Sequence, residues 1–259
     1  MNEVPYVTMS GVKYHYSART PSGRDPKQAV VFMHGAGGNH AKWHNQISFL
    51  GRDFLAIAVD LPGHGLSGGT PFSSIEAYSD FINSFSECLL GSPFFLAGHS
   101  MGGAIALDLA LNYPERLAGL ILVGTGSRLR VLPSILESFK SGKAPENMAA
   151  ALYAPGTQEA VIKAAAQEIE STNPSIFYSD FTACDHFDVS GRLGEIDVPA
   201  LVVTGDTDIM TPVKYGQYLK DNLKNSDFKV VENSGHMLML EQPEKLNDLI
   251  YDFLIKHSK

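Results

Sequence analysis

Four short runs in this chain are too continuously apolar for strands with one wet face. They are AVVFM at Ala29–Met33, FLAIAV at Phe54–Val59, FFLA at Phe94–Ala97 and LILV at Leu120–Val123. A strand with one solvated face alternates polar and apolar residues, whereas one buried on both faces does not. ALVV at Ala200–Val203 and FKVV at Phe228–Val231 add two more candidate strands. Several of these runs are separated by segments of helical length. That alternation predicts an α/β protein with a mainly parallel sheet covered by helices on both faces. The opening stretch YVTMSGVKYHY, Tyr6–Tyr16, alternates more and turns at Ser10-Gly11, as an edge hairpin would. Helices are expected to start near Ala41, Ile75, Ser100, Pro212 and Pro243, the one from Ser100 ending before Pro114.

One region breaks the alternation. From Ser127 to Leu193 no convincing strand occurs, and four helices are expected there: Leu132–Ser141, Glu146–Tyr153, Thr157–Thr172 and Ile176–Cys184. An insertion after a parallel strand emerges at the carboxyl edge of the sheet, where ligands bind in such folds. The expected organisation is a core of residues 1–126 and 194–259 with a helical cap of residues 127–193.

Composition narrows the partners. The formal net charge of -8, with no block of Lys or Arg, disfavours nucleic acid and anionic membranes. No apolar run reaches a membrane span, and the start MNEVPYVTMSG has no basic segment followed by an apolar one. Cys88 and Cys184 are expected to be free thiols in a reducing compartment, so the chain is expected in the cytoplasm. A monomer or homodimer is expected.

The chemistry concentrates in FLAGHSMGGAIAL, Phe95–Leu107, where a strand becomes a helix around Ser100. Gly-x-Ser-x-Gly at such a junction presents a serine oxygen on a strained turn with small neighbours. The N–H groups at the start of the helix face the same spot. A hydroxyl needs a base and a group that orients that base. His236, in a loop between the last strand and the final helix, is the candidate base. His99 adjoins the serine but is expected to point away. His34 ends a strand, where a structural role is the simpler reading, His64 lies in a turn after another strand, and His186 lies in the cap. For the acid, Asp208 in GDTD lies further into its loop than Asp206, which is expected to shape the turn. Asp60, at the end of an earlier strand, is a weaker rival. Oxyanion donors are expected from the N–H of Met101 and from the loop His34–Gly38, with Ala36 preferred over Gly37.

HGAGG at His34–Gly38, DLPGHGLS at Asp60–Ser67, GHSMGG at Gly98–Gly103, GDTD at Gly205–Asp208 and SGH at Ser234–His236 together resemble the α/β-hydrolase superfamily. The likeness is to the small capped esterases and lactonases of its serine-triad branch. It implies an eight-stranded sheet with a helical cap after strand six, and a Ser100, Asp208, His236 triad in that chain order. Dehalogenases and epoxide hydrolases of the superfamily use an aspartate where this chain has Ser100.

The resulting expectation is a carboxylic ester hydrolase of small to medium acyl chains, free of cofactor and metal, acting on a small-molecule ester or lactone. Lactonase, enol-lactone hydrolase and carbon–carbon hydrolase of enol-keto acids are alternatives. A ligand receptor with slow turnover is another. Gly37, Trp43, Met237 and Leu238 are candidate pocket residues, Trp43 equally a core residue. Arg128 and Arg130 are candidates for meeting a substrate carboxylate, against the simpler reading of a solvated cap base. His186 and Asp188 are expected to pack or form salt bridges within the cap.

Overall fold

The computed structural model describes residues 5–258. Residues 1–4, part of the stretch read above for a leader, lie outside the described residues. Eight strands form one sheet: β1 (Tyr6–Met9), β2 (Val12–Arg19), β3 (Ala29–Met33), β4 (Leu55–Val59), β5 (Phe94–His99), β6 (Leu117–Val123), β7 (Ala200–Gly205) and β8 (Ser226–Val231). Their order is β1-β2-β4-β3-β5-β6-β7-β8. β1 and β2 form an antiparallel edge, and every pairing from β4–β3 to β7–β8 is parallel.

The continuous apolar runs follow from burial on both faces. Successive side chains of a strand point to opposite faces. In β3, Val31 and Met33 enter one core with α2 (Ile75–Leu89), α3 (Met101–Asn112) and α8 (Val213–Asn222). Val30 and Phe32 enter the other with α1 (His44–Leu50) and the C-terminal α10 (Pro243–His257). The helix expected near Ala41 begins as a 3-10 turn, His40–Trp43, capped by the Asn39 side chain, and only then becomes α1.

Four helices lie between β6 and β7: α4 (Pro133–Lys140), α5 (Met148–Ala151), α6 (Glu159–Ser171) and α7 (Pro174–His186). The second is much shorter than expected, a single turn entered through Asn147 at φ 58°. α7 starts earlier than expected, with Pro174 in its first turn and the Asn173 side chain accepting from the Ser175 N–H. A short α9 (Leu238–Glu241) precedes α10. Among the described residues, no helix is long and apolar enough to cross a membrane.

Neighbouring strands β4 and β5 flank β3 on opposite sides. The chain therefore leaves β3 toward one edge and β5 toward the other. Diverging connections of this kind open a crevice at the carboxyl ends of the strands. The loop after β3 and Ser100 after β5 meet there.

Candidate active site

Ser100 joins β5 to α3 with φ 53° and ψ -115°. A positive φ on a residue with a Cβ costs on the order of 1–3 kcal/mol and persists only where the surroundings impose it. Here the Ser100 N–H donates to the Val123 carbonyl at 3.0 Å. Its own carbonyl accepts from Thr125 Oγ1 at 2.8 Å and from the Gly103 N–H at 2.9 Å. The flanking glycines are steric necessities. A Cβ on Gly98 would lie 2.1 Å from the Gly102 carbonyl oxygen, and one on Gly102 would lie 2.5 Å from that of Met33.

Across the crevice, His236 Nδ1 lies 2.8 Å from Asp208 Oδ2. The same oxygen accepts from Thr211 Oγ1 at 2.8 Å, while Oδ1 accepts the N–H groups of Met210 and Thr211 at 2.8 and 2.9 Å. Burial opposes charge on Asp208, but the His236 ring and these donors outweigh it and hold the carboxyl below its usual range. Thr211 was not singled out from the sequence. Its place three residues after an aspartate, where a hydroxyl closes a turn, was the available signal. Asp206 braces the loops, accepting from the Ser234 N–H at 3.2 Å.

The remaining histidines divide by their partners. His99 does not simply turn away. Its ring packs 4.5 Å from that of His236 and its Nε2 donates to the His236 carbonyl at 2.9 Å. Burial, reinforced by His236, holds His99 well below its ordinary pKa. His186 ends α7. Asp60 is committed elsewhere: its carboxylate accepts from His15 Nδ1 at 2.7 Å, His40 Nδ1 at 2.9 Å, and the N–H groups of His40 and Leu66. His15, His40 and Asp60 thus form a cluster of metal-ligating types that their spacing in the sequence does not show. Four N–H donors already saturate this carboxylate.

The loop after β3 is organised by His34. Its Nε2 accepts from the Leu61 N–H at 3.2 Å, so its proton sits on Nδ1, which donates to the Gly35 carbonyl at 2.9 Å. Burial first, then the nearby His64, lowers its pKa to about 4, so the ring is neutral. The Gly35 carbonyl also accepts from the Gly38 N–H at 3.0 Å. In a trans peptide the carbonyl and the following N–H point in opposite directions. Fixing the Gly35 carbonyl inside the loop therefore turns the Ala36 N–H outward. Among the described residues, neither that N–H nor the Met101 N–H has an acceptor.

Ala36, Ser100 and His236 open onto one cavity beneath the inserted helices. Leu129, Met148, Ile169, Phe177 and Phe181 form much of its apolar wall. Lys42 of the core pairs with Glu168 of α6 at the same wall. Gly37 and Met237 line the cavity, as their sequence neighbourhood suggested. Trp43 and Leu238 do not. Both are fully buried in the core beside β3 and α10, and the Trp43 ring packs 4.9 Å from Phe32. Arg128 is also off the cavity wall, its Nε 3.4 Å from Asp188. Arg130 lines the cavity, but its Nη1 donates to the Asp185 carbonyl at 2.6 Å.

Known proteins resemble the chain over nearly its whole length. A family model described as alpha/beta hydrolase fold matches residues 28–243. Over 249 aligned residues the chain is 28% identical to pimeloyl-(acyl-carrier protein) methyl ester esterase of Neisseria meningitidis serogroup C, covering 89% of this chain and 94% of that protein. It is 28% identical to monoacylglycerol lipase ABHD6 of Rattus norvegicus, covering 97% and 82%. A thermophilic esterase of known structure superposes with a TM-score of 0.85 at 32% identity, covering 97% of each chain.

Proposed function

The chain belongs to the α/β-hydrolase fold family, and from that premise we propose that it is a serine esterase. Its substrates are carboxylic esters of small to medium acyl chain, cleaved through an acyl-enzyme intermediate. The observation that carries this reading is one apolar cavity onto which both Ser100 and the Asp208-paired His236 open. Esterases and a lipase among the similar proteins support it.

In this mechanism Ser100 Oγ attacks the ester carbonyl as His236 Nε2 takes its proton. Asp208 fixes the imidazole with Nδ1 protonated and stabilises the imidazolium. The carbonyl oxygen becomes an oxyanion that accepts from the Ala36 and Met101 N–H groups. Collapse of the tetrahedral intermediate breaks the bond to the alkoxy oxygen, which leaves as the alcohol with the proton from His236. Water then gives its proton to His236, attacks the acyl-enzyme, and releases the carboxylic acid with Ser100 restored.

A cation free to meet a substrate carboxylate would favour the carbon–carbon hydrolase alternative. Arg128 and Arg130 are turned toward the Asp188 carboxylate and the Asp185 carbonyl, and Lys42 on the cavity wall is paired with Glu168. The direct test is turnover of p-nitrophenyl butyrate together with labelling by a fluorophosphonate. One adduct at Ser100 and none in Ser100→Ala is expected. Full labelling of the alanine variant removes Ser100 from its role. Fast cleavage of an enol-keto acid beside negligible ester turnover moves the chain to the other branch.

A further inference from the structure

A second buried constellation joins the cap to the core. Asp180 of α7 is fully buried and reaches down to the loop after β3. Its Oδ2 accepts from the Gly37 N–H at 2.8 Å and from His64 Nε2 at 2.8 Å. Its Oδ1 accepts from Tyr78 Oη at 2.6 Å. His64 Nδ1 faces the Pro62 carbonyl at 3.0 Å. Both ring nitrogens of His64 thus meet groups that only accept, so both carry protons and the ring is a cation. Burial opposes that charge, but the Asp180 carboxylate outweighs it, and the His64 pKa is raised. Asp180 and His64 therefore form a buried ion pair, with three donors on the carboxylate.

A second observation places α7 over the same loop. Gly37 has φ 65°, and a Cβ there would fall 2.0 Å from the Phe177 ring. Phe177 and Asp180 stand three positions apart on one helical face. One covers Gly37 and the other takes its N–H. The Gly37 N–H belongs to the Ala36–Gly37 peptide, so anchoring it fixes that plane. Ala36 is then fixed from both sides, by His34 through the Gly35 carbonyl and by Asp180 through Gly37.

We propose that Asp180 is a positioning residue for the oxyanion hole: from the cap, it holds the Gly37 peptide so that the Ala36 N–H stays aimed at the reacting carbonyl. The oxyanion hole is then complete only when α7 is docked, which ties the cap to the chemistry as well as to substrate fit. Tyr78 and His64 hold the carboxylate in place. This inference rests on the esterase reading above.

The test separates transition-state from ground-state binding in Asp180→Asn and Tyr78→Phe. For each, kcat and KM are measured with p-nitrophenyl butyrate. Affinities are measured for a short alkyl trifluoromethyl ketone, whose adduct with Ser100 carries an oxyanion, and for the matching methyl ketone. Removing an oxyanion donor outright costs about 10²–10³ in kcat. Loosening one in Asp180→Asn is expected to cost about 10- to 100-fold, with trifluoromethyl ketone affinity falling in proportion. KM and methyl ketone affinity are expected to stay within about twofold. Tyr78→Phe removes one of the three hydrogen bonds to Asp180, together with the one that Tyr78 Oη accepts from the Phe72 N–H, and a few-fold loss with the same split is expected. It decides the question alone if Asp180→Asn does not fold. Wild-type kcat in the folded variants, or a loss confined to KM with ketone affinity unchanged, overturns the inference while the esterase reading stands. A wild type that neither hydrolyses the ester nor captures the ketone at Ser100 overturns both.

Discussion

Asp208 Oδ2 and His236 Nδ1 stand 2.8 Å apart, both side chains buried, on two loops at the carboxyl edge of the sheet that Asp206 and Thr207 tie together through Ser234. Asp206, two residues away, makes no hydrogen bond to the histidine ring and instead accepts from the Ser234 N–H. The two carboxylates of one short loop therefore have separable roles.

Asp208→Asn is expected to lower kcat by about 10³–10⁴-fold with the fold intact, because an amide stabilises the wrong imidazole tautomer. Asp206→Asn keeps an oxygen for the Ser234 N–H and is expected to change kcat only a few-fold. Circular dichroism and p-nitrophenyl butyrate kinetics on both variants check this. A crippled Asp206→Asn beside a nearly silent Asp208→Asn would exchange their roles.

Gly98→Ala is expected to destabilise the protein strongly. A Cβ there meets backbone 2.1 Å away, with no flexible side chain to yield. Overpacking in a tight core costs typically about 1–3 kcal/mol, and a clash with fixed backbone falls at or beyond the upper end. Gly91→Ala is the control, since nothing lies near its added Cβ. Urea unfolding of both is the measurement, and equal midpoints would show that the turn at Ser100 can relax.

The strands buried on both faces were legible as unbroken apolar runs, because such burial removes the alternation, as in Val30 to Met33, and the edge hairpin was legible by the alternation that it keeps. The loops carrying Ser100 and Asp208 were legible because each follows such a strand, and the His236 loop because it lies between the last strand and the final helix. Trp43 and Leu238 show where adjacency in sequence misleads: each neighbours a cavity element yet points into the core. α5 fell short of its expected length because an apolar stripe does not reveal where Asn147 takes a left-handed turn. Asp180 had no signal at all. An acid on a cap helix looks solvated until the fold brings His64, Tyr78 and Gly37 around it.

His34 is expected to make the protein acid-sensitive in a defined window. Its pKa is about 4 in the folded chain, lowered first by burial and then by His64, and about 6.5 when unfolded. Between those values the unfolded chain binds more protons, so stability falls as pH falls. Each unit of the gap is worth about 1.4 kcal/mol, which makes the whole window worth about 3 kcal/mol. His64, with its pKa raised, acts in the opposite sense: its contribution is complete below about pH 6.5 and is lost at higher pH. Urea unfolding at pH 6.5 and 4.5 isolates His34. The wild type is expected to lose at least about 1 kcal/mol more than His34→Asn. Equal losses would mean that the His34 ring is not what titrates.

Acyl-chain preference is expected to follow the cap wall. Ile169 and Met148 line the cavity at some distance in the chain from the reacting groups, on α6 and α5. Each methylene enclosed gains about 0.8 kcal/mol, close to fourfold in kcat/KM, while a carbon left in water gains nothing. Across p-nitrophenyl esters from acetate to palmitate, kcat/KM is expected to climb over the first few carbons and then level or fall. Ile169→Ala should move that break to longer chains, and Ile169→Phe to shorter ones. Trp43→Ala is the contrast: it should cost about 3–5 kcal/mol of stability, as core aromatic truncations do, without moving the break. A steady climb to palmitate with activation at a triolein interface would make the protein a true lipase. A break that moves with Trp43 and ignores Ile169 would relocate the acyl site away from the cap.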